Sequence, residues 1–593
     1  MTDATRVEWR PWGPEAFREA DERDCPVLLS LSATWCAGCH EMDATTYAEP
    51  RVAANVNEWF VPVRVDIDRR PRVRERYNMG GFPTTAFLTP DGELLTGAGY
   101  LGVAGMRQVL ESVGEMWREE GRDAGRVPRA LTDDRPPAGD LSGAVERHLV
   151  GQLESAYDER HAGWGTDAKF PLPRTVEFAL TRDRDRALRT LDAVRDHLAD
   201  DVAGGFFRFA GARDWSDVAY EKTADTNAAV VRAFAHAYLY TGASAYREPA
   251  AAAAGFLTDD LWTGYGVGGS FGPGLGRAYY AVPAEDRTDL DPPRRDLTVF
   301  AGANALAADA LLTLAAYTDD TESREYADRI LDGLTRDLVD TETGQVHHFR
   351  PADDETAPVD LLEDVSRVVS AFVRAAGVLG SGVDVARTVA DRALDRLRVD
   401  GSFVDGPRSG PALLDRPFRP LDGNVELALG LCDLAAITGE DRYRVVARET
   451  AEAFAGATDR LGVQVAAYGS LVGRLQRGTT TIVVGDEPGS DLHRAAWRVA
   501  DHEKVVVPYA HREGAPTPHR VAPGSAVVLV DDDISAPATT PDATTAAVAG
   551  PVTKRESDPV SKRAVATSAT GSASAATATA RRTVRSRSRV GSR

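Results

Sequence analysis

Residues 32–42 read SATWCAGCHEM, and the role of Cys36 and Cys39 decides how the first 120 residues fold. Two cysteines separated by Ala37 and Gly38 form a redox couple, half of a zinc site, or a pair with no chemistry at all. The flanks discriminate. PVLLSLS at 26–32 is an apolar strand, and EMDATTYAEPRVAANVNEWF behind the cysteines is helical with a break at Pro50. A thiol placed where a strand turns into a helix meets free backbone N–H groups and the positive end of the helix dipole, which stabilise its thiolate. Cys36 is therefore the expected nucleophile and the more exposed thiol, and Cys39, one turn on, the resolving thiol. Zinc needs four ligands, and only His40 and Cys25 lie nearby. No metal and no cofactor is expected. A structural or vestigial pair stays open beside the redox reading.

The remaining elements of this region support a compact α/β unit. VPVRVDID (61–68) places Val61, Val63 and Val65 on one strand face, and TTAFLTPDGELLTGAGY (84–100) is a hairpin turned at Pro90-Asp91-Gly92. Val103, Met106, Val109, Leu110, Val113, Met116 and Trp117 form the apolar stripe of a closing helix. Just ahead of the hairpin, GGFPTT supplies Pro83. The order strand, W-C-x-x-C, helix, then F-P-T before a hairpin resembles thioredoxin over most of residues 20–118. That resemblance implies a cis-proline at Pro83 facing the cysteines. Where thioredoxins carry a buried acid six places before the first cysteine this chain has Ser30, and Gly38 replaces the proline before the second.

The chain has 593 residues, 43% hydrophobic and 27% charged, with net charge −21. That length calls for several cores, and that charge argues against nucleic acid or an anionic membrane as partner of the main body. Apart from Lys169, Lys222, Lys504, Lys554 and Lys562 every basic side chain is arginine. Acid excess with scarce lysine points to a halophilic composition. Four cysteines do not make a disulfide framework. The start MTDATRVEWRPWG shows no signal peptide, and no apolar run reaches membrane-spanning length, so the chain reads as cytoplasmic.

Beyond residues 121–140, a Pro-, Gly- and charge-rich linker, helix pairs alternate with glycine turns: HAGWG at 161, AGGFFRF at 203, VGGSFG at 267, TGQVHHF at 343, DGSFVDG at 400 and LGVQVAAYG at 461. Helical hairpins repeated in this way bury their inner faces by closing on themselves, so residues 141–475 read as an (α/α)6 toroid, with an open solenoid as the alternative. TTTIVVG, DLHRAAWRVA, EKVVVPY and AVVLVDD make residues 476–533 a small α/β appendage, and the Ala/Thr/Ser-rich residues 534–593 read as a disordered tail whose Lys and Arg outnumber its acids. The expected fold class is thus multidomain: a thioredoxin-like domain over 1–120, the toroid, and the appendage.

The C-x-x-C-H at 36–40 together with DAKFPLP (167–173), GGFFRFAGARDWSDVAYEKTADTN (204–227) and RRDLTVFAGANALAADAL (294–311) resembles the spermatogenesis-associated protein 20 family. That family joins a thioredoxin-like domain to a six-hairpin glycosidase-like toroid, and the similarity extends over about residues 1–530. Where it has a proline-histidine-phenylalanine run, this chain has Val218-Ala219-Tyr220. In such toroids ligands meet the mouth at the N-terminal ends of the inner helices. The candidates there are Asp167 and Lys169, Glu221 and Asp225, Asp360 and Asp364, and Asp422 and Glu426. Glycosidases need two carboxylates, one protonated and one ionised. Glu221 and Asp225 are spaced to share a helix face, with Lys222 nearby to keep one charged. Trp164, Phe170, Trp215 and Tyr220 are candidate sugar platforms, although acids at helix starts are commonly caps. The leading functional reading is a thiol-disulfide protein using Cys36, Cys39 and Pro83, with the toroid docking a thiol/disulfide protein substrate or a carbohydrate-like ligand. A carbohydrate-active hydrolase or epimerase-like enzyme, and a non-catalytic scaffold, are the alternatives.

Overall fold

The computed structural model describes residues 5–132, 135–350, 357–509, 520–530 and 533–556. The first domain is a five-stranded sheet in the order β1-β3-β2-β4-β5, built from β1 (Arg10–Pro11), β2 (Val27–Ser32), β3 (Val61–Asp66), β4 (Thr84–Leu88) and β5 (Leu94–Ala98). Strands β1, β3 and β2 run parallel; β4 and β5 are antiparallel additions. The helices are α1 (Pro14–Glu22), α2 (Ala37–Ala44), α3 (Pro50–Trp59), α4 (Pro71–Tyr77) and α5 (Val103–Glu120). Strand β2 is buried throughout because both faces are covered: Val27, Leu29 and Leu31 join Trp35, Cys36 and Cys39 on one side, and Leu28 joins Phe87, Val56 and Leu110 on the other. This is a thioredoxin-like fold, and the Phe82–Pro83 peptide bond is cis.

The helical region is a closed ring. Its inner helices are α7 (Pro173–Leu180), α9 (Ala224–Thr241), α13 (Ala301–Thr318), α15 (Leu362–Val378), α17 (Leu421–Thr438) and α19 (Ala467–Arg477). Each packs on the next, and α19 returns to α7. Outside them lie α8 (Arg184–Leu198), α10 (Ser244–Gly255), α14 (Thr321–Asp337), α16 (Val383–Arg396) and α18 (Asp441–Glu452), each against its preceding inner helix. The sixth outer position belongs to α6 (Gly143–Ser155), which pairs with α19 and closes the circle. Two one-turn helices, α11 (Arg277–Tyr280) and α12 (Ala284–Arg287), sit in the long connection before α13.

Three of the six inner helices share one anchoring device, an asparagine. Asn227, Asn304 and Asn424, each in the first turn of an inner helix, accept a backbone N–H from Phe206, Val267 and Phe403 at 2.6, 2.7 and 2.7 Å. The same side chains donate back to the carbonyls of those residues. Each amide thus pairs with the preceding loop as a neighbouring strand would, satisfying both groups of a buried peptide. Asn304→Ala is expected to cost about 3 kcal/mol, because it strands a buried donor and acceptor together. A thermal midpoint within a degree of the parent would show that these bonds contribute nothing.

The region expected to be a linker carries two 3-10 turns, Gly121–Ala124 and Arg129–Leu131, and Leu131 is buried. Gly139 donates to the Glu452 carbonyl at 2.9 Å, and Gly456 to that of Pro137 at 2.8 Å. The appendage is a mixed sheet of Thr481–Val484, Val505–Val507, Ala526–Val530 and Asp533–Ile534 with helix α20 (Asp491–Arg498). It seals the C-terminal end of the ring: His493 Nε2 and Trp497 Nε1 reach the Gly377 carbonyl at 2.8 and 3.2 Å, and the Tyr240 hydroxyl meets His502. The expectation of disorder from residue 534 is corrected in part. Ala538 pairs with Ala526, and helix α21 (Pro541–Glu556) follows with Thr544 and Val548 buried, because small apolar residues there still find a surface to cover. Residues 557–593 lie outside those described.

The thioredoxin-like domain covers the opposite end of the ring. The loop after β3 and helix α4 lie over the N-terminal ends of the inner helices, and Leu414 of the ring joins the core beside Tyr77. Asp405 accepts from Arg72 Nε at 2.9 Å and from Arg76 Nη1 at 2.5 Å, with Arg76 fully buried.

Candidate functional site

Cys36 and Cys39 are joined in a disulfide. Cys36 is the N-cap of α2, and its Sγ accepts the Cys39 N–H at 3.2 Å, so a thiolate there would have a donor already aimed at it. Gly38 lies against Pro83: a Cβ at position 38 would stand 3.0 Å from the proline Cδ. The expected difference in exposure is corrected, because both cysteines are 4% exposed. They share the buried cluster of Trp35 and Val73, with Phe82 packed against it.

Trp35 links the pair to the ring. Its Nε1 donates to Asp68 Oδ2 at 2.7 Å, and the Arg208 guanidinium lies 4.5 Å from its ring centroid. Arg208 in turn holds Glu221 Oε1 at 2.7–2.8 Å. On the other flank, Arg294 Nη1 donates to His40 Nδ1 at 3.3 Å, leaving Nε2–H for the Thr34 carbonyl at 2.8 Å. A third link is His348, whose Nδ1 and Nε2 face Asp364 Oδ2 at 2.8 Å and the Asp68 carbonyl at 2.7 Å. Burial opposes protonation of His348, yet the Asp364 carboxylate and these acceptors raise its pKa above the ordinary value.

Between the two domains lies a cavity of about 240 Å³ whose wall includes Trp35, Asp68, Arg208, Asp225, His348 and Arg367. A larger cavity of about 470 Å³ in the ring shares Arg208, Asp225, Thr226 and Arg367 with it. The space at the mouth and the space in the ring are therefore neighbours, with Trp35 at the outer wall.

The predicted acids divide. Asp225 lines both cavities and receives Arg367 Nη1 at 3.0 Å, while Asp422 and Glu426 line the inner one. Asp364 lines the mouth. Asp167 is exposed and belongs to neither wall, and Asp360 is buried against Arg392. Glu221 stands behind Arg208 and does not share a helix face with Asp225, because Thr223 caps α9 and starts the helix after it. Lys222 turns away to Asp200 Oδ2 and the Gly204 carbonyl, both at 2.9 Å, and Lys169 to Asp158 at 3.1 Å. Trp164 and Trp215 are core residues, Tyr220 stacks on Tyr280, and Phe170 alone of the expected platforms lines the chamber. Arg208, Arg367, Glu363, His348 and Asp68 were not foreseen. Burial resists ionisation of Glu363, but Arg367 and Arg74 outweigh it and hold its pKa at about 2. Asp422 differs: burial and then the Glu426 carboxylate push it up.

Residues 2–133 match the domain family Thioredox_DsbH, described as a protein of unknown function, DUF255. The human protein named spermatogenesis-associated protein 20 is 30% identical over 284 residues, 41% of this chain and 36% of its own length. The resemblance to the spermatogenesis-associated protein 20 family holds. Its rat counterpart is 28% identical over 295 residues, and Caenorhabditis elegans protein B0495.5 is 27% identical over 248. The alignments with spermatogenesis-associated protein 20 and B0495.5 span little more than a third of those relatives' lengths. Among solved structures, a sugar epimerase from a ruminal bacterium has a TM-score of 0.42 at 15% identity, over 54% of this chain and 84% of its own. D-mannose isomerase has a TM-score of 0.42 at 11% identity, over 56% and 96%. At that distance neither says anything about a substrate.

Asp68 supplies a pH prediction. Burial first, and then the Asp66 carboxylate, push its pKa up to about 7. A carboxyl raised in the folded state is tolerated while protonated, and its cost develops as pH rises from about 4 to about 7. Asp68→Asn keeps an oxygen for Trp35 and cannot ionise. It is expected to gain stability relative to the parent between pH 5 and pH 8, by a few degrees in the thermal midpoint. A midpoint difference independent of pH across that range would show that Asp68 ionises without penalty.

Proposed function

We propose that this protein carries out thiol-disulfide exchange at Cys36 and Cys39 in the cytoplasm, with the ring as a docking body that presents a ligand at its mouth. The observation that supports this reading is the placement of the N-capping cysteine directly beside Trp35, whose indole forms part of the mouth cavity wall with the ring arginines. In the exchange, a substrate thiolate attacks Cys36 Sγ and the Cys39 thiolate leaves. A second substrate thiol then displaces Cys36, so two electrons and two protons pass from substrate to the pair. The reverse sequence reduces a substrate disulfide. Arginine pairing of Glu221, Asp225, Glu363 and Glu426 supports binding in the ring, and leaves Asp422, whose pKa burial raises, as the lining acid that glycoside hydrolysis would need as proton donor.

Equilibration of the full chain in dithiol buffers of graded potential tests the proposal, with alkylation and mass measurement counting the thiols. A single two-electron transition confined to Cys36 and Cys39, above about −300 mV, is expected for an exchanging pair. A potential below about −300 mV would mark a structural bond and end the redox reading.

A further inference from the structure

One arginine of the ring reaches across to the helix that carries the redox pair. Arg294 lies in the long connection before α13, and its backbone is fixed there, its carbonyl accepting the Gly272 N–H at 2.7 Å. The next two residues, Arg295–Asp296, pair with Ser270–Phe271, which pair in turn with Lys222–Thr223 at the start of α9. The Arg294 side chain crosses to the first domain, where Nη1 donates to His40 Nδ1 at 3.3 Å. His40 lies one helical turn beyond Cys36, whose carbonyl accepts its N–H at 3.2 Å.

The arginines around this contact are not equally committed. Arg208 is held by Glu221, and Arg295 is turned to Asp260. Arg294 is exposed, and among the described residues no carboxylate forms an ion pair with it. His40, accepting at Nδ1 and donating from Nε2 to the Thr34 carbonyl, is a neutral ring and brings no second charge. Glu41, the next residue of α2, is bonded to the Tyr100 hydroxyl at 2.9 Å. A guanidinium with uncommitted N–H edges accepts a carboxylate in a two-point contact. Both sulfurs are almost wholly buried, which favours a slim linear substrate.

We propose that Arg294 is a specificity-determining residue of the exchange site and selects small disulfides that carry a carboxylate near the sulfur. This inference rests on the thiol-disulfide reading above. In the reduced protein the Cys36 thiolate attacks one sulfur of the substrate disulfide and expels the first product thiolate. The Cys39 thiolate then attacks Cys36 Sγ and expels the second. Two electrons pass from the pair to the substrate, and the two cysteine protons end on the two product thiols.

The test mixes the reduced full chain with dithiodipropionate, hydroxyethyl disulfide or cystamine, which share a two-carbon arm and are anionic, neutral and cationic. Acid quenching and mass measurement give each rate, divided by that of dithiothreitol with the same disulfide. The parent is expected to favour dithiodipropionate. Arg294→Gln is expected to slow that reaction about fivefold, the upper range for an exposed ion pair, and to change hydroxyethyl disulfide by less than about twofold. Arg294→Lys keeps the charge and is expected to keep the preference. A change in folding or in thiolate stability would move all three reactions alike, so recognition alone separates them. Equal normalised rates for the three disulfides, or an Arg294→Gln effect shared by all of them, would overturn this inference and leave exchange standing. No exchange with any of them would end the thiol-disulfide reading and this inference with it.

Discussion

Cys36→Ser is expected to abolish disulfide exchange, lowering the rate by at least about a hundredfold to background, whereas Cys39→Ser traps a mixed disulfide. The reason lies in the geometry of α2. Cys36 caps the helix and its sulfur receives the Cys39 N–H, while Cys39 is the third residue of the helix, placed to expel whatever has bonded to Cys36. Removing the attacker ends the reaction at the start. Removing the resolver leaves an adduct that survives alkylation and is released by dithiothreitol with the mass of the bound thiol. Intact-mass measurement after challenge with a disulfide substrate reads both outcomes. Equal residual rates in the two variants would mean that the sulfurs have no division of labour.

Asp405→Ala is expected to destabilise the protein by about 3–5 kcal/mol and to loosen the first domain from the ring. Arg72 and Arg76 both point at this carboxylate across the interface, and Arg76 is buried completely. Their other bonds go to carbonyls of Pro407, Leu413, Leu414 and Arg416, which supply dipoles but no charge. Deleting the carboxylate leaves two guanidinium groups desolvated without a counter-ion, which is the costly way to break such a pair. Thermal unfolding and limited proteolysis of residues 121–140 measure the effect; Asp405→Asn should lose less, keeping an acceptor. A midpoint shift under a degree, with unchanged cleavage, would show that apolar packing around Leu414 alone holds the interface.

The thioredoxin-like domain was readable because its evidence is local: a strand, a turn with two cysteines, a helix and a proline before a hairpin all lie within 70 residues of each other. The ring was readable as a repeat, but its strongest internal signal went unnoticed. TN at 226, AN at 303 and GN at 423 place an asparagine at the same point of three inner helices, where it pairs with the preceding loop. The site was less readable. Equal burial of Cys36 and Cys39 depends on packing that no local stretch describes. His348 and Asp68 meet across 280 residues of chain, a contact without local periodicity to announce it. The Glu221 and Asp225 pairing failed on a detail of capping: with Thr223 as N-cap, position 221 lies outside the helix and its carboxylate falls to Arg208.

Closure of the ring through α6 has a consequence for synthesis. Glu146 on α6 receives Arg477 from the far end of the ring, 331 residues later. At about 5–20 residues per second, translation needs roughly 15–65 s to supply that partner. The first domain can complete its own sheet long before then, but each helical hairpin leaving the ribosome presents an apolar inner face with nothing on one side. A nascent chain of this protein therefore carries uncovered apolar helix faces throughout that interval, and a chain ending before α19 lacks the element that pairs with α6.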